Sequence, residues 1–307
     1  MPRALITGAA GQDGRLLSRL LVARGWRVSA VVRTPDAPLE PGCDRVVCDV
    51  GNAAALEAAL VRWSPDAIYH LAAVHRSSEA SPTDVVGETF AMVAVNFKAA
   101  ETILGWAVRT ARSSRLVFVG SSQMYAAPVD GDSRIDESTP MAPRTFYAET
   151  KAWTRALCRH GRAALGLHAS FAVLFNHESV FRTAGFVTRK IVDAAVRGEP
   201  LVLRDPDATA DWCAAEDIVA ALAAIGARST PDEYVLGGGA KRSIRDWVAA
   251  AYARTGRAAP DFGAAPGVSR PALIAETGRA LTHLGWRCET SFEAMVAKMV
   301  DDARARR

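Results

Sequence analysis

The sequence predicts an α/β protein built on a doubly wound parallel sheet, with a smaller α/β lobe towards the carboxyl terminus. Short β-branched runs such as RALIT, VSAVV and RVVCDV alternate with longer amphipathic segments over the first 175 residues. This alternation is the βαβ rhythm of a parallel sheet. After about residue 175 the rhythm weakens, and the predicted helices are separated by loops rich in proline and glycine. A second, less regular lobe is therefore expected there.

The predicted elements follow in chain order. The strand RALIT is followed by a helix after Gly14, the strands WRVSAVV and RVVCDV, a helix from about Ala53 and the strand DAIYHLA. A helix from about Asn96 to Arg112, the strand RLVFVGSS, a helix around Tyr147 and the strand ASFAVLF come next. Further helices are expected near 186–198, 215–226, 243–256 and 291–305. We place the larger domain at residues 1–175 and the smaller lobe at 176–307, with some interleaving of the chain.

Composition excludes several classes of protein. The 307 residues are 50% hydrophobic and 23% charged, which is typical of a globular chain. We see no apolar run near the roughly 18 residues of a membrane span and no leader-like start, so we expect a cytoplasmic protein without a membrane. The net charge is +4, but the arginines are scattered and no nucleic-acid-binding motif is present. The five cysteines show neither metal-ligand nor disulfide spacing, so reduced thiols and no metal site are expected.

A glycine pattern ends the first strand. In ITGAAGQDG, Gly8, Gly11 and Gly14 stand between a strand and a helix. Glycines allow a tight turn, and the unpaired N–H groups of the following helix can bind a pyrophosphate. Because strand, glycines and helix come in this order, the motif predicts a Rossmann-type dinucleotide-binding domain. Gln12 and Asp13, within the motif, are included in the predicted cofactor site.

The second strand indicates which dinucleotide binds. An acidic residue at the end of this strand would accept hydrogen bonds from a free ribose 2′-hydroxyl, but the strand ends in VVRTP. Arg33 suits a 2′-phosphate, so NADP is favoured and NAD remains possible. Asp49, after the third strand, is a candidate partner for the adenine amino group. The remaining predicted cofactor contacts are Val50, Leu71, Ala72 and Ala73.

Three polar residues point to redox chemistry. Ser121 ends the strand LVFVGSS, at the carboxyl edge where open α/β sheets bind ligands. Tyr147 and Lys151 are four residues apart and therefore share one face of a helix. We expect the Lys151 charge to lower the tyrosine pKa, so that the phenolate can remove a proton from a substrate alcohol. Tyr147 and Lys151 are also expected to contact the cofactor.

Several strings resemble a known family. The order of glycine turn, serine strand and Tyr-Lys helix is similar to the extended short-chain dehydrogenase/reductase superfamily over nearly the whole chain. Within it, ALITGAAGQDG, LFNHES and GFVTRKI resemble the GDP-mannose 4,6-dehydratases. The resemblance implies a nicotinamide dinucleotide, a nucleotide-sugar substrate and oxidation at the sugar C4. By matching position, Ser121, Tyr147 and Lys151 take the catalytic places, and the substrate lobe contributes Asn176, Arg189 and Lys190.

One departure bears on the reaction. The dehydratases have the pattern Thr-x-Glu-x-Tyr after this strand, and their glutamate is the acid/base for loss of water across C5 and C6. This chain has Gln123 at that position. An amide has no useful pKa near neutrality, so ordinary 4,6-elimination is expected to be impaired. His177 or Glu178 is a candidate replacement, with a role in holding the loop as the alternative.

Other departures affect the substrate side. Where the family reads Arg-Asp-Trp, this chain has Ala210, which removes an arginine that helps to bind the diphosphate in relatives. The segment RPALIAE is shorter than its counterpart, although Arg270 is retained. Arg204 is a candidate compensating cation. The predicted substrate contacts are completed by His75 and Ser122.

The resemblance and the departures together give a functional hypothesis. We expect an enzyme that oxidises the C4 hydroxyl of a nucleotide sugar, with GDP-sugars favoured, and returns the hydride as a 4-epimerase. The alternatives are a 4,6-dehydratase with a displaced base, a 4-dehydrogenase or 4-keto-sugar reductase, and a dinucleotide-binding sensor without catalysis. The family resemblance also predicts a homodimer joined by a four-helix bundle, with the segments near 96–110 and 146–160 as the candidate helices.

Overall fold

A seven-stranded parallel sheet forms the centre of the molecule. The computed structural model describes residues 1–75, 84–126, 130–263 and 270–306. In chain order the strands of this sheet are β1 (Arg3–Thr7), β2 (Arg27–Val32), β3 (Cys43–Val47), β4 (Ala67–His70), β5 (Arg115–Ser121), β7 (Ala169–Leu174) and β10 (Glu233–Leu236). Their spatial order is β10-β7-β5-β4-β1-β2-β3, and every neighbouring pair is parallel. The order reverses beside β1, which creates a crevice at the carboxyl edge of the sheet. The predicted fold class is confirmed.

Helices cover both faces of the sheet. One core cluster packs α2 (Ala53–Trp63), α4 (Ala99–Thr110) and α5 (Phe146–Leu165) against the sheet. The opposite cluster packs α1 (Gln12–Ala23), α7 (Ala215–Ala227) and α9 (Gly278–Leu284). Because both faces are covered, β5 and β7 are buried almost throughout, which explains their nearly continuous apolar sequences.

The smaller lobe is built on a second sheet and three helices. The sheet contains β8 (Asn176–Glu178), β9 (Thr209–Ala214) and β11 (Lys241–Ser243), in the order β11-β9-β8. Its core cluster joins α6 (Val187–Arg197), α8 (Ile244–Thr255) and α10 (Phe292–Ala305). The four helices predicted after residue 175 are confirmed within one or two residues at each end. A two-stranded parallel sheet pairs β6 (Ser133–Ile135) with β12 (Leu273–Ala275).

The chain returns to the large sheet after entering the smaller lobe. α7 packs on the sheet in the same cluster as α1, and β10 pairs with β7 from Glu233 to Leu236. Residues 215–236 therefore pack with the first half of the chain. The division at residue 175 stays a prediction.

The helix expected from Asn96 begins earlier than predicted. α3 (Val85–Met92) continues through a π-helical turn at Val93–Lys98 into α4. Taken together, Val85–Thr110 has a mean hydropathy of 1.2 over its most apolar window and is long enough to span a membrane by length and composition alone. In this fold α4 belongs to the core beside α2, and buried helices of globular proteins meet the same criterion.

Candidate active site

The glycine turn forms the floor of a cavity of about 640 Å³. Gly8 follows β1 with φ +70°, a left-handed conformation that favours glycine. A Cβ atom at Gly8 would lie 2.7 Å from the Ala72 backbone nitrogen, and one at Gly14 would overlap the Gly8 carbonyl oxygen. Gly11 caps α1 without a side-chain hydrogen bond, so the first N–H groups of the helix remain available to an anion. These features fit the pyrophosphate of a dinucleotide.

The residues predicted to bind the adenosine end of the cofactor line the same cavity. Arg33 and Asp49, at the carboxyl ends of β2 and β3, line the cavity together with Val50. Leu71, Ala72 and Ala73 follow β4 and also line it. The Asp49 carboxylate accepts a hydrogen bond from the Gly51 N–H at 2.9 Å, which holds its loop. All predicted cofactor residues therefore border one cavity, as the topology of a parallel sheet requires.

Gln12 and Asp13 also tie the glycine turn to β8. The Gln12 amide donates to the His177 carbonyl oxygen at 3.0 Å and accepts from the Ser179 hydroxyl at 3.0 Å. His177 Nε2 lies 2.9 Å from an Asp13 carboxylate oxygen, and Nδ1 lies 2.7 Å from the Phe175 carbonyl oxygen. Both acceptors require a donor, so the geometry describes an imidazolium paired with a carboxylate.

Asp13 and His177 stabilise each other's charged forms. Burial alone lowers the pKa of His177, but the Asp13 carboxylate outweighs it and the net pKa is raised. Burial alone raises the pKa of Asp13, but His177, with smaller contributions from Arg182 and Gln12, outweighs this effect and the net pKa is lowered. Glu178 is buried and accepts from Arg182 Nε at 2.6 Å. Neither His177 nor Glu178 is therefore free to replace the missing glutamate, and their geometry favours the loop-holding alternative.

Ser121, Tyr147 and Lys151 converge on the cavity between β5 and α5. α5 begins immediately before Tyr147, because Thr145 caps it by accepting from the Ala148 N–H at 3.2 Å. The Lys151 ammonium lies 5.9 Å from the centre of the Tyr147 ring and donates to the Val119 carbonyl oxygen at 3.1 Å. The structure thus brings together the three side chains that the sequence analysis selected.

Burial is the largest influence on the pKa values of Tyr147 and Lys151. It raises the pKa of Tyr147 to about 12, although the neighbouring Ser121 hydroxyl acts in the opposite direction. Burial also lowers the pKa of Lys151 to about 8. The lowered tyrosine pKa that we expected is therefore wrong for the protein alone. The physical reason is that the phenolate loses more hydration in this cavity than the Ser121 hydrogen bond restores, and the Asp13 carboxylate disfavours the phenolate further.

Gln123 lies against His75, a contact that the sequence analysis did not foresee. Gln123 belongs to the 3₁₀ turn Ser122–Met124 after β5, and its amide nitrogen is 3.3 Å from His75 Nε2. An amide nitrogen can only donate, so the His75 Nε2 atom accepts and Nδ1 carries the proton. The His75 ring meets the Tyr147 ring at 4.7 Å between centroids and stacks on Phe186 at 6.1 Å. His75 therefore stands at the centre of the site.

The electrostatics keep His75 neutral near pH 7. Burial lowers its pKa, and the positive charges of Arg182 and Lys151 lower it further. A neutral imidazole has one nitrogen that accepts a proton and one that donates. The strand order could have predicted the contact between His75 and Gln123. His75 follows β4 and Gln123 follows β5, and these neighbouring parallel strands end at the same edge of the sheet.

A second cavity of about 550 Å³ opens from the first towards the smaller lobe. The two cavities share His75, Gln123, Asn176, Glu178 and Phe186. Arg204, Ala210 and Trp212 line only the second cavity. Asn176 and Arg204 are therefore placed where the sequence analysis expected substrate contacts. Ala210 leaves a methyl group on this wall where the family resemblance implied an arginine.

Four predicted substrate residues are not brought to either cavity wall. Arg189 pairs with Asp193 one turn along α6, with Nε 2.9 Å from the carboxylate. Arg270 forms an ion pair with Asp205, a residue that lines the second cavity. Lys190, on α6, and Ser122, after β5, lie outside the residues that line the two cavities. Their roles in binding stay predictions.

Comparison with known proteins identifies the family. The sequence profile of the family described as GDP-mannose 4,6 dehydratase matches residues 5–299. The chain is 29% identical to GDP-mannose 4,6 dehydratase 2 of Arabidopsis thaliana, over 97% of this chain and 86% of the relative. It is also 29% identical to GDP-mannose 4,6-dehydratase of Sinorhizobium fredii, over 97% and 95% of the two chains.

Solved structures with the same fold extend the comparison. The UDP-glucose 4-epimerase of Thermus thermophilus, crystallised with NAD, has a TM-score of 0.83 at 23% identity, covering 98% of this chain and 99% of the other. The dTDP-glucose 4,6-dehydratase of Bacillus anthracis, also with NAD, has a TM-score of 0.83 at 17% identity, covering 98% and 96%. The family profile and the curated relatives carry the assignment, and the structures show the shared fold. This chain belongs to the GDP-mannose 4,6-dehydratase family, among the nucleotide-sugar epimerases and dehydratases of the extended short-chain dehydrogenase/reductase type.

Proposed function

We propose that the protein oxidises the C4 hydroxyl of a nucleotide sugar and then returns the hydride to C4, with 4-epimerisation as the net reaction. The observation that carries the proposal is the convergence of Ser121, Tyr147 and Lys151 beside a glutamine. The GDP-mannose 4,6-dehydratase relatives favour a GDP-sugar as the substrate. The nucleotide would occupy the second cavity, with the sugar at the junction beside His75.

Each side chain has a defined task in this proposal. The Tyr147 phenolate removes the proton of the C4 hydroxyl, and the Lys151 ammonium stabilises the negative charge on the phenolate. The Ser121 hydroxyl donates a hydrogen bond to the C4 oxygen and orients it. A nicotinamide dinucleotide, held by the glycine turn and the N-terminus of α1, would supply the hydride acceptor and add positive charge that favours the phenolate.

The net reaction follows from what Gln123 lacks. Elimination of water across C5 and C6 needs a group that removes the C5 proton and another that protonates the leaving hydroxyl. An amide can do neither near neutral pH. Return of hydride to the opposite face of a rotated 4-keto sugar needs only the serine, tyrosine and lysine. This difference in proton transfers is the reason why epimerisation is the preferred proposal.

A second candidate reaction is 4,6-dehydration with His75 as the displaced base. His75 is 3.3 Å from the Gln123 amide, so its imidazole lies beside the position of the missing carboxylate. Its lowered pKa leaves it neutral near pH 7, the state in which an imidazole can accept a proton. The Gln123 amide would have to move away from Nε2 before that nitrogen could take the C5 proton. Epimerisation requires no such rearrangement.

One experiment separates the reactions. Purified enzyme is incubated with GDP-mannose and with other GDP- and UDP-sugars in D2O, and the products are examined by mass spectrometry and proton NMR. A product of unchanged mass with inverted C4 and no solvent deuterium supports epimerisation. A product 18 mass units lighter, with deuterium at C5 or C6, refutes it and supports dehydration.

The remaining outcomes identify the other candidates. Release of a 4-keto sugar with stoichiometric reduced cofactor identifies a dehydrogenase, and consumption of a 4-keto sugar identifies a reductase. Cofactor binding without turnover of any nucleotide sugar identifies a sensor. The variant His75→Asn distinguishes the first two reactions, because it keeps an amide beside Gln123 but has no group that titrates near neutrality.

We also propose NADP as the preferred cofactor, because Arg33 lines the adenosine end of the cavity where NAD-selective proteins carry an acid. Fluorescence titration of the protein with NADPH and NADH tests this preference. Arg33→Ala should weaken NADPH binding by about tenfold or more, the value of one lost charge-assisted contact, and leave NADH binding nearly unchanged. Equal losses for both cofactors would refute the preference.

We propose a homodimer through the helices around α3, α4 and α5. Val86 is 66% exposed and Phe90 71% exposed on α3, while Phe146 and Trp153 are each 40% exposed on α5. Exposed apolar residues clustered on neighbouring helices are typical of an interface. Light scattering coupled to gel filtration tests the assembly, and Trp153→Glu should yield a monomer. A wild-type monomer at micromolar concentration would refute the proposal.

A further inference from the structure

Two cysteines that are distant in sequence meet at the edge of the smaller lobe. Cys213 is buried near the end of β9, and Cys288 is half-buried in the connection between α9 and α10. Their sulfur atoms are 2.8 Å apart, although 75 residues separate them in the chain. Neither residue borders either of the two cavities that contain the candidate active site. The contact therefore needs an explanation of its own.

The backbone around Cys288 is held in place by Asp217, in the first turn of α7. One oxygen of this carboxylate accepts from the Thr290 N–H at 2.9 Å and from the Glu289 N–H at 3.2 Å. The Trp286 indole N–H donates to the Asp217 backbone carbonyl oxygen at 2.8 Å. The connection is thus fixed on both sides of Cys288. The approach of the two sulfurs is set by this framework and not by a loose loop.

The spacing favours a sulfur–sulfur bond over a metal. Cys213, Asp217 and Cys288 each offer a ligand atom, and these atoms lie within 4.8 Å of one another. Tetrahedral zinc with Zn–S bonds of about 2.3 Å would hold two thiolates about 3.7 Å apart, whereas a disulfide needs about 2.05 Å. The observed 2.8 Å lies nearer to the disulfide. The Asp217 oxygen that lies 3.5 Å from the Cys288 sulfur already accepts hydrogen bonds from two backbone N–H groups.

We propose that Cys213 and Cys288 form a reversible disulfide when the protein meets a peroxide. Cys288, the more exposed thiol, attacks one oxygen of hydrogen peroxide as its thiolate. The O–O bond breaks, the leaving hydroxide takes a proton to become water, and Cys288 becomes a sulfenic acid. The Cys213 sulfur then attacks the Cys288 sulfur and the S–O bond breaks. A second water leaves with the proton from Cys213, so two thiols are oxidised by two electrons and one peroxide is reduced.

The burial of the two thiols fixes this order. Hydrogen bonding to Cys288 and burial raise the pKa of Cys213, so Cys213 stays protonated and does not react first with the peroxide. It attacks only after Cys288 has become a sulfenic acid. Cys288 is accessible to a small oxidant. Because the sulfenic acid would form beside a thiol that is already in contact, closure of the disulfide should outpace further oxidation of Cys288.

The bond would join β9, which borders the second cavity, to the connection between α9 and α10. Cys213 is the register partner of His177 in the pairing of β8 with β9, and His177 holds the Asp13 pair at the start of α1. A disulfide would fasten this strand pair to the connection that precedes α10. Cross-linking 75 residues removes conformational freedom from the unfolded chain, so oxidation should raise Tm by on the order of 5 °C.

The test compares the reduced protein before and after treatment with hydrogen peroxide. Intact mass should fall by two hydrogens, and a peptide cross-linked between Cys213 and Cys288 should appear. Dithiothreitol should reverse both changes and the rise in Tm. Cys288→Ser should lose the cross-link and the Tm shift, while Cys43→Ser, which alters a half-buried cysteine elsewhere, should keep both. Cys213→Ala provides a second variant, since alanine is accepted more readily than serine at a buried site.

Three outcomes would overturn the proposal. One is oxidation of Cys288 to the sulfinic acid with no cross-link in the wild-type chain. Another is a cross-link between other cysteines. The third combines two results: the protein binds one zinc ion, which both Cys213→Ala and Cys288→Ser lose, and peroxide forms no disulfide in the zinc-free protein. Together these results would establish a metal site.

Discussion

Replacement of Lys151 by methionine should separate the electrostatic role of this lysine from its role in packing. Lys151 is 2% exposed, and its ammonium lies 5.9 Å from the centre of the Tyr147 ring. With the ring centre taken as the position of the negative charge and an effective dielectric constant of about 20, the ammonium stabilises the phenolate by on the order of 3 kcal/mol, or about 2 pKa units. Lys151→Met should therefore slow oxidation of the sugar by about 100-fold at neutral pH. Methionine has a similar length and can fill the same space without the charge.

The pH dependence provides a sharper signature. Tyr147 titrates near 12 and Lys151 near 8, so the fraction of enzyme with a phenolate and an ammonium rises about tenfold per pH unit below pH 8. Above pH 8 the lysine loses its proton, and this fraction becomes constant because the tenfold gain in phenolate per pH unit is cancelled by an equal loss of ammonium. The wild-type rate should therefore rise and then level near pH 8. In Lys151→Met the rate should keep rising through pH 8.

The same substitution should stabilise the fold. The folded-state pKa of Lys151 is lowered from 10.5 to about 8, so burial of its charge costs stability below pH 8, and this cost disappears as pH rises from 8 to 10.5. The shift corresponds to about 3 kcal/mol, from which about 1 kcal/mol is subtracted for the hydrogen bond lost at Val119. The free energy of unfolding should thus increase by on the order of 2 kcal/mol at pH 7.

Two measurements check these expectations. Single-turnover formation of reduced nicotinamide, followed by absorbance from pH 6 to 10, gives the rate, and urea unfolding gives the stability. Lys98→Met is the matched control, because Lys98 is 55% exposed and pairs with Glu101 at the surface. A Lys151→Met enzyme that retains the break near pH 8, or that loses both rate and stability, would refute the electrostatic reasoning.

Three further predictions follow from other parts of the structure. Gln123→Glu places a carboxylate beside His75 and should convert the nucleotide sugar to a product 18 mass units lighter, measured by mass spectrometry. An unchanged product would show that the glutamine does not decide the reaction. Gly14→Ala places a methyl group against the Gly8 carbonyl oxygen and should weaken dinucleotide binding at least tenfold in a fluorescence titration. Gly278→Ala, which has room for a methyl group and does not line the cavity, should leave binding unchanged. Burial alone raises the pKa of Glu233, but three arginines outweigh it and lower the pKa to about 2, so wild-type stability should fall as pH drops from 4.5 towards 2. Glu233→Gln should cost about 3–5 kcal/mol in urea unfolding and reduce this pH dependence by the share that Glu233 contributes. A loss below about 1 kcal/mol would contradict a buried ion network.

The parts of the fold that the sequence predicted correctly are governed by short-range patterns. The glycine turn, α1 and the Tyr147 helix each depend on residues that are close in the chain. Glycine must stand at Gly8 because the turn needs a positive φ and close contact with Ala72. Tyr147 and Lys151 face one cavity because four residues make about one helical turn.

The short and irregular elements were missed. β6, β8, β11 and β12 have three residues each, too few for an alternating pattern to stand out from a loop. α3 was not predicted because the expected helix was started at Asn96, near the end of the π-helical turn. α9 has seven residues and one buried side chain, Ala280, so its sequence lacks an apolar stripe.

The sequence by itself determined the family, the class of fold and the three side chains that carry the proposed oxidation. These depend on residue identity and local spacing, which are visible in a single chain. Only the tertiary structure placed His75 against Gln123, engaged His177 with Asp13 and brought Cys213 to Cys288. Each of these contacts joins residues that are 48 or more positions apart. Such contacts are fixed by strand order and by the packing of the two lobes, and no local pattern encodes either.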